Sequence, residues 1–133
     1  MPEVKSIKKV VLKKASLNKS QFIFTVEVNN RNDYDLLLKS GEYEVYMEDT
    51  YLGKGSSDMQ QTISKNGNSD INFPVTISLF DAFNNGAKIL SLIAGNENLK
   101  YKTKGQFKAG VEGINYIFDI PLEIENTVKT YNE

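Results

Sequence analysis

The chain has 133 residues, 40% of them hydrophobic, and a formal net charge of −1, which suits one folded domain with no global field attracting nucleic acid. It contains no His and no Cys, which excludes disulfides, thiolate nucleophiles, imidazole bases and the usual zinc ligands. Any catalysis would have to rely on carboxylates, Lys, Tyr or a hard metal bound by oxygen.

The hydropathy of the chain gives no sign of a membrane segment. No stretch approaches the ~20 apolar residues that a spanning helix needs, and Met1–Val4 lacks the apolar run of a signal peptide. We therefore expect no transmembrane segment, and either a cytoplasmic protein or a cell-envelope domain whose leader has been removed.

The first predicted strand is Val4–Lys14, which is rich in β-branched residues and lysine. Residues 1–20 hold six Lys and one Glu. This excess of positive charge is typical of a solvated edge strand whose lysines prevent pairing with another chain. The alternative is a surface that contacts anionic lipid.

The clearest pattern lies in Gln21–Leu36. Four apolar side chains alternate with their neighbours and predict a strand with one buried face: Phe22, Phe24, Val26 and Val28. The strand runs into an Asn-rich turn, where short amides can bond the backbone. An alternative is an oxygen-rich Ca²⁺ site, whose ligands would be Asn30, Asn32, Asp33 and Asp35. Their spacing fits no EF-hand, so we predict a structural turn.

Three further strands are predicted before the helix, over Glu42–Met47, Tyr51–Gly55 and Ile71–Ile77. Two glycines in the second of them suggest a bulge rather than a phosphate-binding loop, because no helix follows. Pro74 has no N–H to donate, so it indicates an edge strand or a bulge.

A single helix is predicted over Ser78–Ala94, where apolar residues recur at three- and four-residue steps. Ser78 and Asp81 form a start that resembles a capping box, and Gly95 stands at the expected end.

Two strands complete the prediction. Leu99–Lys108 alternates so that one face carries a candidate surface patch, Lys100, Lys102 and Lys104. Ile114–Glu125 alternates most cleanly. We expect its even-numbered side chains, from Ile114 to Ile124, to be buried in the same core as Phe22, Phe24, Val26 and Val28. Residues 126–133 read as a loose C-terminal tail. The whole pattern predicts an all-β fold with one inserted helix, an antiparallel β-sandwich of about seven strands in a single domain over residues 1–125.

The order of these segments resembles the group 2 late embryogenesis abundant proteins, also called the water stress and hypersensitive response (WHy) domain. That family has an apolar strand, an Asn-Pro-Asn turn, a Y-x-V strand, a Gly-containing strand, a helix, Y-x-x-x-G and a final strand. In this chain the segments are Phe22–Val28, Asn30-Arg31-Asn32, Tyr43–Met47, Tyr51–Gly55, Leu79–Ala94, Tyr101–Gly105 and Tyr116–Leu122. Arg31 replaces the family's Pro, so the turn loses a residue that would fix φ.

The resemblance implies a fibronectin type III-like sandwich linked to tolerance of desiccation, osmotic stress or cold. It brings no catalytic residues, and we expect neither a cofactor nor a metal site. We therefore expect a non-enzymatic domain that shields client proteins or membrane surfaces from aggregation and inactivation. The alternative is a partner-binding module of a cell-envelope lipoprotein. We expect a monomer that binds no nucleic acid.

Overall fold

The computed structural model describes residues 1–13, 16, 19–78 and 98–132, and this part of the chain contains eight β-strands. The predicted helix, apart from Ser78, lies outside the described residues. In chain order the strands are β1 (Glu3–Lys13), β2 (Ser20–Asn30), β3 (Leu36–Met47), β4 (Thr50–Ile63), β5 (Gly67–Ile77), β6 (Asn98–Val111), β7 (Ile114–Pro121) and β8 (Ile124–Asn132).

The eight strands form one sheet in the order β4-β3-β6-β8-β1-β2-β5, and β7 pairs with β6 off this path. The all-β class is therefore confirmed. The expectation of a purely antiparallel fold is wrong, because Val10–Leu12 of β1 lies parallel to Thr130–Asn132 of β8. The two separate sheets of a fibronectin type III-like sandwich are not seen either, since β8 pairs with both β6 and β1 and makes the sheet continuous.

The sheet curls until its two end strands, β4 and β5, face each other. Gln61 of β4 bridges them, because its Nε2 donates to the carbonyl of Asn72 at 2.8 Å and its Oε1 accepts the N–H of Asn72 at 3.1 Å. Tyr43 adds a hydrogen bond from its Oη to the carbonyl of Pro74 at 2.6 Å. Pro74 thus lies on an end strand, where its missing N–H is tolerated.

The core lies inside the curled sheet and follows the alternation of β2. The inward side chains of that strand are fully buried: Phe22, Phe24, Val26 and Val28. Phe24 stacks on Phe73 with ring centroids 5.5 Å apart, and the ring of Tyr101 meets it edge-on at 5.5 Å. Aromatic pairs of this kind contribute beyond their buried area, so they tie β2, β5 and β6 into one core.

The burial of β7 differs from the prediction. Ile120 and the following Leu122 are buried as expected, but Ile114 and Tyr116 are 61% and 66% exposed. The difference arises because, among the described strands, β7 pairs with β6 alone and its first half projects beyond the core.

The predicted loose tail is also wrong, because residues 126–132 belong to β8. This strand is hard to recognise from sequence because two of its inward positions hold the polar residues Asn126 and Thr130. Both are satisfied: Asn126 bonds the backbone of Ile7, and Thr130 bonds the Tyr101 hydroxyl.

Candidate functional site

The Asn-rich turn is held by Asn30, the last residue of β2. Its side chain is fully buried. The Nδ2 donates to the carbonyls of Tyr34 and Ile63, at 3.1 and 3.3 Å. The Oδ1 accepts the backbone N–H and the side-chain Nδ2 of Asn32, both at 3.0 Å. Arg31 is exposed, so the amide of Asn30, rather than the residue at position 31, fixes the turn.

Asn126 performs a similar task between β8 and β1. Its Oδ1 accepts the N–H of Ile7 at 2.8 Å, and its Nδ2 donates to the carbonyl of the same residue at 2.9 Å. A primary amide offers the same donor and acceptor as a peptide group, so it can replace a missing strand partner. Asn30, Gln61 and Asn126 thus complete the sheet at three places where backbone pairing stops.

Gly105 explains the glycine of the Y-x-x-x-G motif. Its φ is +149°, and a Cβ built there would lie 2.0 Å from the carbonyl oxygen of Glu42. Only glycine fits so close to a neighbouring strand. The tyrosine of the same motif, Tyr101, is fully buried, and burial raises its pKa to about 12. Both motif residues are therefore structural in this fold.

The predicted lysine row lies on the outer face of β6. Lys100 contacts the carboxylate of Asp49 at 3.0 Å, and this hydrogen bond raises the pKa of Lys100 above its ordinary value. The ammonium groups of Lys102 and Lys104 lie 6.0 and 5.7 Å from the ring centre of Tyr46. The structure brings the three lysines together, and each has a counter-charge or an aromatic ring beside it.

An open, polar groove of about 790 Å³ adjoins this row. Glu42, Glu44 and Lys104 are among the residues that line it, together with Gly55 and Gly105. The groove is wide and lined by charged groups, so it is a hydrated part of the surface.

An apolar patch, which the sequence did not predict, lies at the end of the molecule that carries the Asn-rich turn. It surrounds an open cavity of about 430 Å³ lined mainly by Met1, Pro2, Tyr34, Val111, Ile114, Tyr116 and Phe118. Alternation placed Ile114 and Tyr116 in the core, so the patch could be recognised only from the position of β7 at a sheet edge.

Neither a metal centre nor a spanning helix is found within the described ranges. Those residues contain no group of three or more His, Cys, Asp or Glu side chains placed to hold a metal ion. Of the four residues considered for Ca²⁺, Asn30 is engaged as above and Asp35 accepts the N–H of Lys65 at 2.9 Å. The same residues include no helix long and apolar enough to cross a membrane.

Together these features define an all-β domain. In the part of the chain that the structure describes, the motif residues stabilise the sheet, charged side chains lie on the outer faces, and one end carries an apolar patch. A family model described as "Late embryogenesis abundant protein" matches residues 25–126. Since the match covers most of the chain, the chain belongs to the late embryogenesis abundant protein family. No sequence among the curated proteins searched matches it.

Solved structures share the fold at low sequence identity. A solution structure of AT1g01470 from Arabidopsis thaliana is 15% identical, with a TM-score of 0.68 and coverage of 98% of this chain and 82% of that one. A putative late embryogenesis abundant protein, At2g46140.1, is 14% identical, with a TM-score of 0.60 and coverage of 98% and 72%. A protein from Archaeoglobus fulgidus is 14% identical, with a TM-score of 0.54 and coverage of 96% and 98%.

Proposed function

We propose that this protein is a non-enzymatic stress-protection domain of the group 2, or WHy, type, which keeps client proteins or membrane surfaces apart as water is lost. Membership of the late embryogenesis abundant family supports a stress-related role in the broad sense. The motif order given above supports the narrower WHy assignment.

The observation that carries the proposal is the chemistry of the outer faces. Lys8 contacts Asp70 at 3.1 Å, Lys108 contacts Asp119 at 3.1 Å, and Lys100 of the lysine row contacts Asp49 at 3.0 Å. Charges of both signs that alternate over a surface hold water and disfavour association. A rigid body with such an exterior can separate neighbouring molecules without recognising any of them.

The partner-binding alternative is favoured by one observation, the apolar patch beside β7. An exposed sheet edge with apolar side chains is suited to adding a strand from a partner. In a cell-envelope lipoprotein such an edge would be the recognition element, and the charged faces would be secondary.

Freeze–thaw inactivation of a client enzyme tests the two readings. A shield should preserve client activity better than an equal mass of an inert globular protein, with a gradual dependence on mass ratio. Protection no better than that of the inert protein would overturn the proposal. Saturation at a fixed stoichiometry would instead favour specific partner binding.

A further inference from the structure

The first half of β7 carries none of the charged residues or prolines that commonly keep edge strands from pairing. Edge strands are usually protected by lysines, prolines or charges at their centre. The only charged residue of β7, Asp119, and its proline, Pro121, lie in its last three residues. Ile117 is 58% exposed on the face opposite to that of Tyr116. Apolar surface is thus available on both faces of the strand.

We propose that β7 pairs antiparallel with β7 of a second copy of this chain, about a two-fold axis that passes beside Ile117. Such a pairing joins two sheets edge to edge, and the same strand serves both partners. It goes beyond the shielding function, which needs only one copy, and it replaces the monomer expected from the sequence.

The register about Ile117 is self-complementary. Tyr116 faces Phe118 of the second copy, and Asn115 faces Asp119 of the second copy, so no two like charges are opposed. Within one chain, the rings of Tyr116 and Phe118 already stack at 6.2 Å, and the symmetry would bring four such rings together on one face. Aromatic and polar cross-strand pairs of this kind stabilise antiparallel strands.

The carboxylate of Asp119 is already balanced, which favours a second copy over a basic partner. Lys108 of β6 contacts it at 3.1 Å. An amide such as Asn115 can therefore approach Asp119 without leaving an uncompensated charge. The interface is small, so the dimer should be weak and should form only as concentration rises.

The first test is sedimentation equilibrium from about 10 µM to about 1 mM, a range that covers weak association. The wild-type chain should shift from monomer to dimer. Ile117→Lys, which places two ammonium groups opposite each other at the axis, should weaken association at least tenfold. Tyr51→Lys, a matched change at an exposed residue of β4, should leave association unchanged.

Two changes at Asn115 test the register itself. In the proposed dimer, residue 115 of each copy faces Asp119 of the other copy. Asn115→Asp therefore places two carboxylates opposite each other at both of these positions, and should weaken association about three- to tenfold. Asn115→Lys puts a cation opposite Asp119 of the second copy, whose carboxylate Lys108 already balances, and should leave association within about twofold of the wild-type value. Asn115 is exposed, so both variants should fold, which circular dichroism would check.

A monomer at all concentrations would overturn the proposal, as would a dimer that Ile117→Lys leaves intact. Equal effects of the two Asn115 variants would overturn the register. A monomer that binds extended apolar peptides in an Ile117-dependent manner would assign the edge to a foreign strand and reject the second copy. If the monomeric Ile117→Lys variant still protects the client, then the shielding function does not depend on the dimer, and the two proposals can fail separately.

Discussion

At the scale of single residues, Asn30 shows how one buried amide can specify a turn. Asn30→Ala removes hydrogen bonds to Tyr34, Ile63 and Asn32 at a fully buried position. Because the backbone groups left behind cannot reach water, we expect a loss of about 2–4 kcal/mol in the free energy of unfolding. Urea denaturation followed by circular dichroism would measure it.

The neighbouring Asn29 supplies a matched control. Its Nδ2 donates to Asn68 at 2.7 Å in an exposed pair, so Asn29→Ala should cost less than about 1 kcal/mol. Similar losses in the two variants would mean that the buried network around Asn30 contributes little.

Tyr101 should make stability depend on alkaline pH. Its pKa is raised by burial from the ordinary value of 10.0 to about 12, so between these values the unfolded chain loses the phenolic proton while the folded chain keeps it. The stabilisation is present in full below pH 10 and is lost as the pH rises to about 12. Over that interval the loss should be about 2–3 kcal/mol.

Urea denaturation at about pH 9 and about pH 11.5 would measure this dependence. Tyr101→Phe should be less stable at pH 9, since Thr130 loses its partner, but should lose less between the two pH values. Tyr116→Phe, at an exposed tyrosine, should keep the wild-type loss. An unchanged loss in Tyr101→Phe would assign the alkaline sensitivity to other groups.

At the scale of elements, Gly105 governs the approach of β6 to β3. Gly105→Ala would place a methyl group 2.0 Å from the Glu42 carbonyl oxygen at a φ of +149°, so the strands must separate. We expect a loss on the order of 4 kcal/mol, or failure to fold. Gly113 has a φ of +81°, and a Cβ built there would meet no atom within 4 Å. Gly113→Ala should therefore lower the free energy of unfolding by only about 1–2 kcal/mol, from backbone strain. Equal thermal melting of the two variants would contradict this explanation of the motif.

The strands show which parts of the fold local sequence can predict. The alternation of β2 predicted its buried face, and that of β6 predicted its outward lysines, because a strand with one buried face repeats every two residues. The same alternation in β7 predicted burial that is absent at Ile114 and Tyr116. Alternation defines the two faces of a strand but does not determine which strands lie beside it.

Strand β8 was not predicted from the sequence, because its inward face is not uniformly apolar. Its inward positions include Asn126 and Thr130, whose partners Ile7 and Tyr101 are distant in sequence. Polar residues in a short terminal segment are typical of a tail when their partners are unknown. The sequence predicted that Asn30 stabilises a turn. Its hydrogen bond to the carbonyl of Ile63 could be identified only from the folded structure.

At the scale of the whole molecule, family membership, the continuous apolar core and the charged outer faces support shielding by a folded body. Shielding requires a folded body with a hydrated exterior, and it makes no single polar residue indispensable for protection. The lysine row offers a severe test, because Lys100, Lys102 and Lys104 are the most concentrated positive charge on β6 and lie together on one face.

The most direct measurement is the recovery of a client enzyme's activity after drying in the presence of the triple variant Lys100→Glu, Lys102→Glu and Lys104→Glu. Replacing Lys100 by Glu places a carboxylate beside Asp49, so we expect a small fall in melting temperature. The variant should still fold, because exposed ion pairs are individually weak. If the chain acts as a shield, the triple variant should protect the client as well as the wild-type chain does at equal mass. A variant that melts cooperatively yet no longer protects would contradict the shield and identify the lysine row as a specific docking surface.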